Sequence, residues 1–406
     1  MTNKTFSKTA FITAQTPFGK GETFILDELT EIKRKNPNIV IIPRNPPKTI
    51  FHQAGRVLSK NTIKTSVINL KMLFGIFPFL VKSIALPKHG EIIKKIFTQS
   101  NSAKKLLKNL AILPKGILLS KIVKEQNVKH IHAHWGSTTA TMAYVASKLT
   151  NIPCSMTLHR WDIKENNILK EKVKTCKFVR CISNNGKKEL LTILKDKFKN
   201  KIHVIHMGTK IPNKQKKSRN YSELFTIITP ANLLPVKGHK YLIEACEIMI
   251  KQNIKNIRFI FYGDGPGKQI LGKDIKNRNL QKYIQMPGVI NHKRLIDIYK
   301  NKKANLVVIP SINTQNNEHE GIPVALIEAM AHKIPVISTK TGGIPELLIN
   351  RETLVKEKSS IILAKAIIEI IKNNNLKETI VKTNFQKVNN DFNVNKVTNE
   401  LLELIE

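Results

Sequence analysis

Glu320-Gly-Ile-Pro-Val-Ala-Leu-Ile-Glu328-Ala-Met-Ala-His332 follows a short apolar run, Leu306–Ile309, that ends at Pro310-Ser311. The run reads as a strand and the segment after Pro323 as a helix, the repeating step of a parallel α/β sheet. Pro323 suits the first helical turn, where its absent N–H would go unpaired anyway. Gly321 has no side chain and lets a ligand approach the backbone. The free N–H groups of that turn, with the positive end of the helix dipole, form an anion site. Glu328 lies one turn beyond Val324 on the same face, and Glu320 sits in the loop ahead of the helix. A phosphate on the N–H groups, flanked by two carboxylates that accept hydroxyl hydrogen bonds, is what a nucleotide sugar asks for. The same residues also read as a buried helix with two surface glutamates, and by themselves they leave both readings open.

The alternation extends in both directions. Upstream, Ala10–Ala14, Asn38–Ile42, Lys129–Ala133, Pro153–Leu158, Phe178–Ile182 and His203–His206 read as strands, with helix-like segments such as Ser137–Leu149 and Gly186–Lys195 between them. Nearer the opening segment, Leu224–Thr229, Arg258–Tyr262, Ile284–Met286 and Val336–Ser338 read as strands. Leu242–Ile250, Lys293–Tyr299 and Ile361–Lys372 read as helices. The polar stretch Pro212-Asn-Lys-Gln-Lys-Lys-Ser-Arg-Asn220 offers nothing to a core and reads as a linker. The expected organisation is an α/β domain over 1–211, a linker over 212–222, a second α/β domain over 223–385, and a tail over 386–406. The helix of that tail, Val394 to Ile405, is expected to return to the first domain.

Composition bounds the function. The chain has 406 residues, 41% of them hydrophobic, enough for real cores in two or three domains. Its 68 Lys and Arg against 29 Asp and Glu give a formal charge of +39. That excess fits a nucleic-acid binder, an anionic membrane surface or a lysine-rich background. It is concentrated: between Glu31 and Asp162 the only carboxylates are Glu91 and Glu125. Cys154, Cys176, Cys181 and Cys246 form no CxxC pair, so neither a disulfide scaffold nor a structural zinc site is expected, and a reducing cytosol is. The N-terminal residues lack the apolar region of a signal peptide. The longest apolar run, Met72–Val81, lies between Lys71 and Lys82 and falls short of the roughly 20 residues a spanning helix needs. A cytoplasmic protein, soluble or peripheral on the inner face of the membrane, is the expectation.

Pro310 to Leu347, which closes on Pro335-Val-Ile-Ser-Thr-Lys-Thr-Gly-Gly-Ile-Pro-Glu-Leu347, resembles the signature of retaining glycosyltransferases of family 4. Further blocks resemble that family in order, as in bacterial surface-polysaccharide and lipopolysaccharide enzymes: Gly21-Glu-Thr-Phe-Ile-Leu26, His130-Ile-His-Ala-His-Trp135, Thr157-Leu-His-Arg-Trp-Asp162, Leu234-Pro-Val-Lys-Gly-His-Lys-Tyr-Leu-Ile-Glu-Ala245 and Tyr262-Gly-Asp-Gly-Pro266. The resemblance implies the GT-B fold, two Rossmann-like domains whose parallel sheets face across a donor-binding cleft. It implies that Glu320 contacts hydroxyls of the transferred sugar and Glu328 the nucleotide ribose. Backbone N–H groups of Gly321, Ile322 and Val324 would hold the distal phosphate, and Lys237 would pair with the diphosphate. Gly19, Gly21 and Gly265 would let the backbone approach the donor, and His159 would lie near the reacting sugar, with Asp162 orienting it, meeting the acceptor or capping a helix. A preplaced cation and a helix N-terminus would stabilise the departing diphosphate without a metal or cofactor. Two positions depart from the family pattern. Asn232 stands where an arginine is usual and brings a hydrogen-bond donor but no charge, and Lys333 stands where a small residue is usual.

Read without the family, Lys237 is a solvated loop lysine, Gly19-Lys-Gly21 an ordinary turn and His159 a structural strand-end histidine. His130, His132 and His134 share a strand face, but with no cysteine or carboxylate cluster nearby they read as strand packing, not a metal site. Gly263-Asp-Gly-Pro-Gly267 lacks the full dinucleotide-binding spacing and its acidic partner. Glu320 and Glu328 are no glycosidase pair, since one helix face does not straddle a glycosidic bond. Met72–Val81, with Phe74, Phe77 and Phe79, precedes Lys94, Lys95, Lys104, Lys105 and Lys108; this reads either as a core segment with a solvated basic face or as a surface that meets anionic lipid. The expected function is transfer of a hexosyl unit from a nucleotide sugar, UDP-linked, to a lipid-linked or surface-glycan acceptor with retention. A sugar-nucleotide epimerase of the same architecture is the neighbouring alternative. A basic nucleic-acid-binding protein is the alternative from another class, although no RNA- or DNA-reading motif supports it.

Overall fold

A computed structural model describes residues 6–19, 22–65, 78–79, 81, 84, 86–212, 224–316 and 318–406. The chain forms two units, Met1–Met207 with Val397–Glu406, and Gly208–Lys396. Among the described residues each unit holds one six-stranded sheet, and every strand pair is parallel.

In the first unit β1 (Thr9–Thr13), β2 (Ile39–Pro43), β3 (His130–His134), β4 (Cys154–Leu158), β5 (Phe178–Cys181) and β6 (Ile202–Val204) lie in the order β2-β1-β3-β4-β5-β6. β1 to β5 are buried along their whole length, as expected of a sheet covered by helices on both faces. The second unit repeats the plan with β7 (Phe225–Pro230), β8 (Ile257–Tyr262), β9 (Ile284–Gly288), β10 (Leu306–Ile309), β11 (Val336–Thr339) and β12 (Leu354–Val355) in the order β12-β11-β10-β7-β8-β9. In each sheet the chain first builds to one side of its opening strand and then crosses to the other. The reversal falls between β1 and β3, and between β7 and β10. Loops leaving the carboxyl ends of such a pair diverge and leave a crevice where ligands bind.

Strand positions agree with the sequence reading to within a residue or two, except for β12, whose two residues are too short to leave a pattern. The basic stretch after Ser102 forms a helix, Ala103–Glu125, whose hydroxyl cap accepts from Lys105 N at 3.3 Å. A Cβ on its Gly116 would stand 2.8 Å from the Val145 side chain, so this helix packs tightly on Thr138–Thr150. Phe74 and Phe77 lie outside the described residues, Phe79 is buried and Val81 is exposed. The strand histidines bond to neighbouring strands: His130 Nε2 and His132 Nδ1 each lie 2.7 Å from Ser155 Oγ, and His132 Nε2 lies 2.9 Å from Thr157 Oγ1. The last helix, Val394–Ile405, buries Val397, Leu401, Leu402 and Ile405 with Phe11, Ile25 and Leu29 of the first unit. No helix among the described residues is long and apolar enough to cross a membrane.

Candidate functional site

The carboxyl ends of β7 and β10 bring together residues distant in sequence. After β7 the chain makes a tight turn, Pro235–Lys237, closed by Gly238 at φ +70°. A Cβ on Gly238 would stand 1.9 Å from the Pro310 carbonyl oxygen, so only glycine lets this turn rest on the loop that leaves β10. Ile312 N donates to Val236 O at 2.9 Å and fixes the same contact. Lys237 is thereby set beside Glu320, and the two form an ion pair, mostly but not wholly shielded from solvent.

Glu320 is held from its backbone. Its carbonyl accepts from Gly343 N at 3.3 Å and lies 3.1 Å from His319 Nδ1. Gly342, at φ +54°, approaches so closely that a Cβ there would stand 1.7 Å from that carbonyl oxygen. The Thr-Gly-Gly loop after β11 is therefore the backing plate of Glu320. Gly321 is different in kind, because no atom of the described residues lies within 4 Å of where its Cβ would be. This open step leads into the helix Val324–Ala331, whose first turn carries no side-chain cap. Ile322 is buried and Val324 half-buried.

Glu328 is buried in that helix, and its Oε1 lies 2.7 Å from His292 Nε2. Its backbone carbonyl lies 2.8 Å from His332 Nδ1. Asn232 is exposed in the loop after β7, where Leu233 N donates to Asp264 O at 3.0 Å and Gly267 N to Leu233 O at 3.0 Å. Gly265 lies in this two-loop contact, and a Cβ on it would stand 2.8 Å from the Leu233 carbonyl oxygen.

In the first unit His159 ends β4 and opens the helix Arg160–Glu165. Its ring lies over Trp135, centroids 4.3 Å apart, and meets the edge of Phe24 at 5.4 Å. Burial, with the charges of His134 and Arg180 behind it, pushes its imidazole down to about 3, and Nε2 is buried without a partner among the described residues. A neutral ring with one free nitrogen can exchange a hydrogen bond with a ligand hydroxyl. Asp162 serves as the helix cap: Oδ2 accepts from His159 N at 2.9 Å and Oδ1 from Ser137 N at 3.2 Å. Burial raises its carboxyl to about 6 although those bonds act to lower it.

Gly21 lies outside the described residues. Gly19 lies in the loop after β1, its Cβ direction filled by the Gln15 side chain. The residue that organises this loop is Glu22, which carried no role in the sequence reading. Its Oε2 accepts from Gln15 N (2.6 Å), Thr16 N (2.7 Å) and Thr16 Oγ1 (3.0 Å). Its Oε1 accepts from Ala14 N (3.2 Å) and Trp135 Nε1 (2.6 Å). Trp135 stands at φ +82°, a conformation that costs a bulky side chain on the order of 1–3 kcal/mol and clusters at functional sites. His292, Gly342 and Trp135 also escaped assignment. Glu22 and Trp135 stand inside the quoted sequence blocks, whereas His292 left no signal.

Residues 210–387 match the family model described as "Glycosyl transferases group 1", and the chain carries that domain. It is 34% identical over 186 residues to the putative colanic acid biosynthesis glycosyltransferase WcaL of Salmonella typhimurium, a match covering 44% of each chain. It is 29% identical over 212 residues to the amylovoran biosynthesis glycosyltransferase AmsK of Erwinia amylovora, covering 51% of each. The chain thus spans about half the length of the curated relatives it matches. Among solved structures it is similar to TarM, with a TM-score of 0.72, 15% identity and 100% of both chains covered. It is also similar to Anabaena Alr3699/HepE in complex with UDP-glucose, with a TM-score of 0.69, 17% identity and 97% and 98% of the two chains covered. The fold is GT-B.

Proposed function

We propose that the protein is a retaining glycosyltransferase that moves a hexosyl unit from a UDP-linked sugar to a lipid-linked or surface-glycan acceptor. The observation that carries this is the Lys237–Glu320 pair beside the open Gly321 step and the uncapped helix N-terminus. A carboxylate for sugar hydroxyls, a cation for a diphosphate and backbone N–H groups for its distal phosphate converge at one crevice, Gly321 N donating to Glu320 Oε1 at 3.2 Å in the free protein. In the free protein Lys237 and Glu320 neutralise each other. A bound donor separates them, turning Lys237 to the diphosphate and Glu320 to the sugar. Glu328, oriented by His292, receives the ribose hydroxyls. Bond cleavage transfers charge to the leaving diphosphate, where Lys237 and the helix N-terminus already stand, so the reaction proceeds without a metal. Departure and attack occur on one face of the sugar, with a leaving phosphate oxygen taking the acceptor proton, and the neutral His159 ring holds a sugar hydroxyl. The relatives named for colanic acid and amylovoran synthesis and the neighbour bound to UDP-glucose support the substrate class. Exposed Phe97 and Leu107 among Lys94, Lys104 and Lys108 support a first unit resting on anionic lipid.

A panel of nucleotide sugars read by nucleoside diphosphate release tests the reading. Release with a UDP-hexose in the presence of EDTA and acceptor is expected. Glu320→Ala and Lys237→Ala should each lower turnover roughly a hundredfold or more while leaving the melting temperature near that of the parent. Near-normal turnover in both variants would refute the site. Sedimentation with anionic liposomes, weakening as salt rises, checks the membrane face.

A further inference from the structure

A second cationic centre stands in the first unit, apart from Lys237. Arg44 follows the carboxyl end of β2, where its N donates to Thr13 O at 2.8 Å and Asn45 N to Ala14 O at 3.0 Å. These bonds set it against the loop that Glu22 organises. Its Nη1 donates to Thr138 Oγ1, and its Nε is buried with no partner among the described residues. Lys115, wholly buried in the helix Ala103–Glu125, donates to the Arg44 carbonyl oxygen and, at 2.9 Å, to Asn45 Oδ1. Burial, with the charge of Arg44 beside it, brings the Lys115 ammonium down to about 8.

Lys115 is withdrawn from water and Arg44 half-buried beside it, and such a cationic pair favours an anion, because a desolvated charge without a partner is costly. Among the described residues no carboxylate forms an ion pair with either. Glu22 and Glu165 are the carboxylates whose charge reaches Arg44. Both lend Arg44 charge from a distance and neither contacts it: the oxygens of Glu22 accept five hydrogen bonds from other, neutral donors, and Glu165 Oε1 pairs with Lys108 at 2.8 Å. Among the described residues no other carboxylate is close enough to act on Arg44. What remains is a guanidinium braced through Nη1 with its Nε edge unspent, at the ligand-binding edge of the sheet.

We propose that Arg44, braced by Thr138 and backed by Lys115, binds a phosphate group carried by the acceptor. The proposal rests on the glycosyltransferase reading only for the word acceptor; the anion site stands on its own geometry. The edge formed by Nε and the second terminal nitrogen matches two phosphate oxygens, a geometry a lysine does not reproduce. Arg44 is a binding residue, and Lys115 positions it through the backbone at 44–45.

Calorimetric titration of the full chain with inorganic pyrophosphate tests this, using the parent, Arg44→Gln, Lys237→Gln and the double variant. Two sites are expected in the parent, one in each single variant and none in the double. A parent-like titration of Arg44→Gln overturns the proposal, whereas a parent-like titration of Lys237→Gln counts against the donor site alone. Should Arg44→Gln fail to fold, Arg44→Lys decides: binding at the first-unit site should weaken roughly tenfold or more, and unchanged affinity overturns the proposal. Dodecyl phosphate in neutral detergent, compared with inorganic phosphate, separates a lipid-borne phosphate from a free one. Tighter binding of the lipid form, lost in Arg44→Gln, supports an acceptor-borne phosphate; equal affinity makes this a site for the free anion and overturns the assignment to the acceptor.

Discussion

Glu22 shows how much one side chain can organise. A buried carboxylate is costly unless its lone pairs are filled, and here backbone, hydroxyl and indole donors fill them. The same bonds tie the loop after β1 to Trp135, whose ring lies against His159, so the position of the histidine depends on a residue that does not touch it. Glu22→Gln preserves the shape but replaces one acceptor oxygen with a donor that faces other donors. The expected loss is about 1–3 kcal/mol of stability, with a shift in tryptophan fluorescence as the indole loses its acceptor. Unchanged fluorescence and stability in urea titrations would show that the loop holds without the carboxylate. Of the three roles open to Asp162 in the sequence, its bonds to the His159 and Ser137 amides are those of a helix cap.

At the scale of elements, what could be read in advance was what local chemistry determines. β10 and the helix Val324–Ala331 were legible because a buried parallel strand is a short apolar run and Pro323 marks a helix start. The two-residue β12 was not, since it owes its existence to pairing with β11 through Ser338↔Leu354 and Thr339↔Val355. The same contrast divides the site. Glu320, Glu328 and Lys237 stand in recognisable blocks, whereas the pairing of Lys237 with Glu320 requires two loops 83 positions apart to meet at the crossover of the sheet. The Thr-Gly-Gly loop shows no role in the sequence because its task, backing the Glu320 carbonyl, exists only once β11 lies beside β10. Gly342→Ala should therefore act on the site from behind: the added methyl has no room at 1.7 Å and the backbone is left-handed. Donor affinity should fall at least tenfold in a calorimetric titration, with roughly 1–3 kcal/mol lost in stability. Gly321→Ala, by contrast, meets open space and should fold normally.

For the whole molecule, both tryptophans, Trp135 and Trp161, lie in the first unit, so indole fluorescence reports on that unit alone. This separates two predictions from any change in the second unit. The first concerns pH. Burial holds His130 and His159 at about 3 and His132 well below its ordinary range, whereas the unfolded chain protonates them near 6.5. Their contribution to stability is therefore present above pH 6.5 and is lost as pH falls toward 3. Asp162 opposes this between about 6 and 4, because its folded carboxyl binds a proton that the unfolded one releases. Three protons taken up against one released leaves net uptake on unfolding, at roughly 1.4 kcal/mol per pH unit for each proton. The urea midpoint read by fluorescence should thus drop between pH 6.5 and 5, and a flat or rising midpoint would contradict the buried, neutral histidines. The second concerns the chain end. Val397, Leu401, Leu402 and Ile405 complete a core whose other members belong to the first 207 residues, with Glu406 accepting from Ser7 N at 2.7 Å and Lys35 Nζ reaching Thr398 Oγ1 at 2.7 Å. Leu401→Ala should cost about 2–5 kcal/mol, all of it in the fluorescence-detected transition. A chain ending at Asn393 should lose that transition's cooperativity while residues 208–393 keep a separate unfolding step by circular dichroism. A truncated chain with an unaltered fluorescence transition would mean that the first unit closes its core without the final helix.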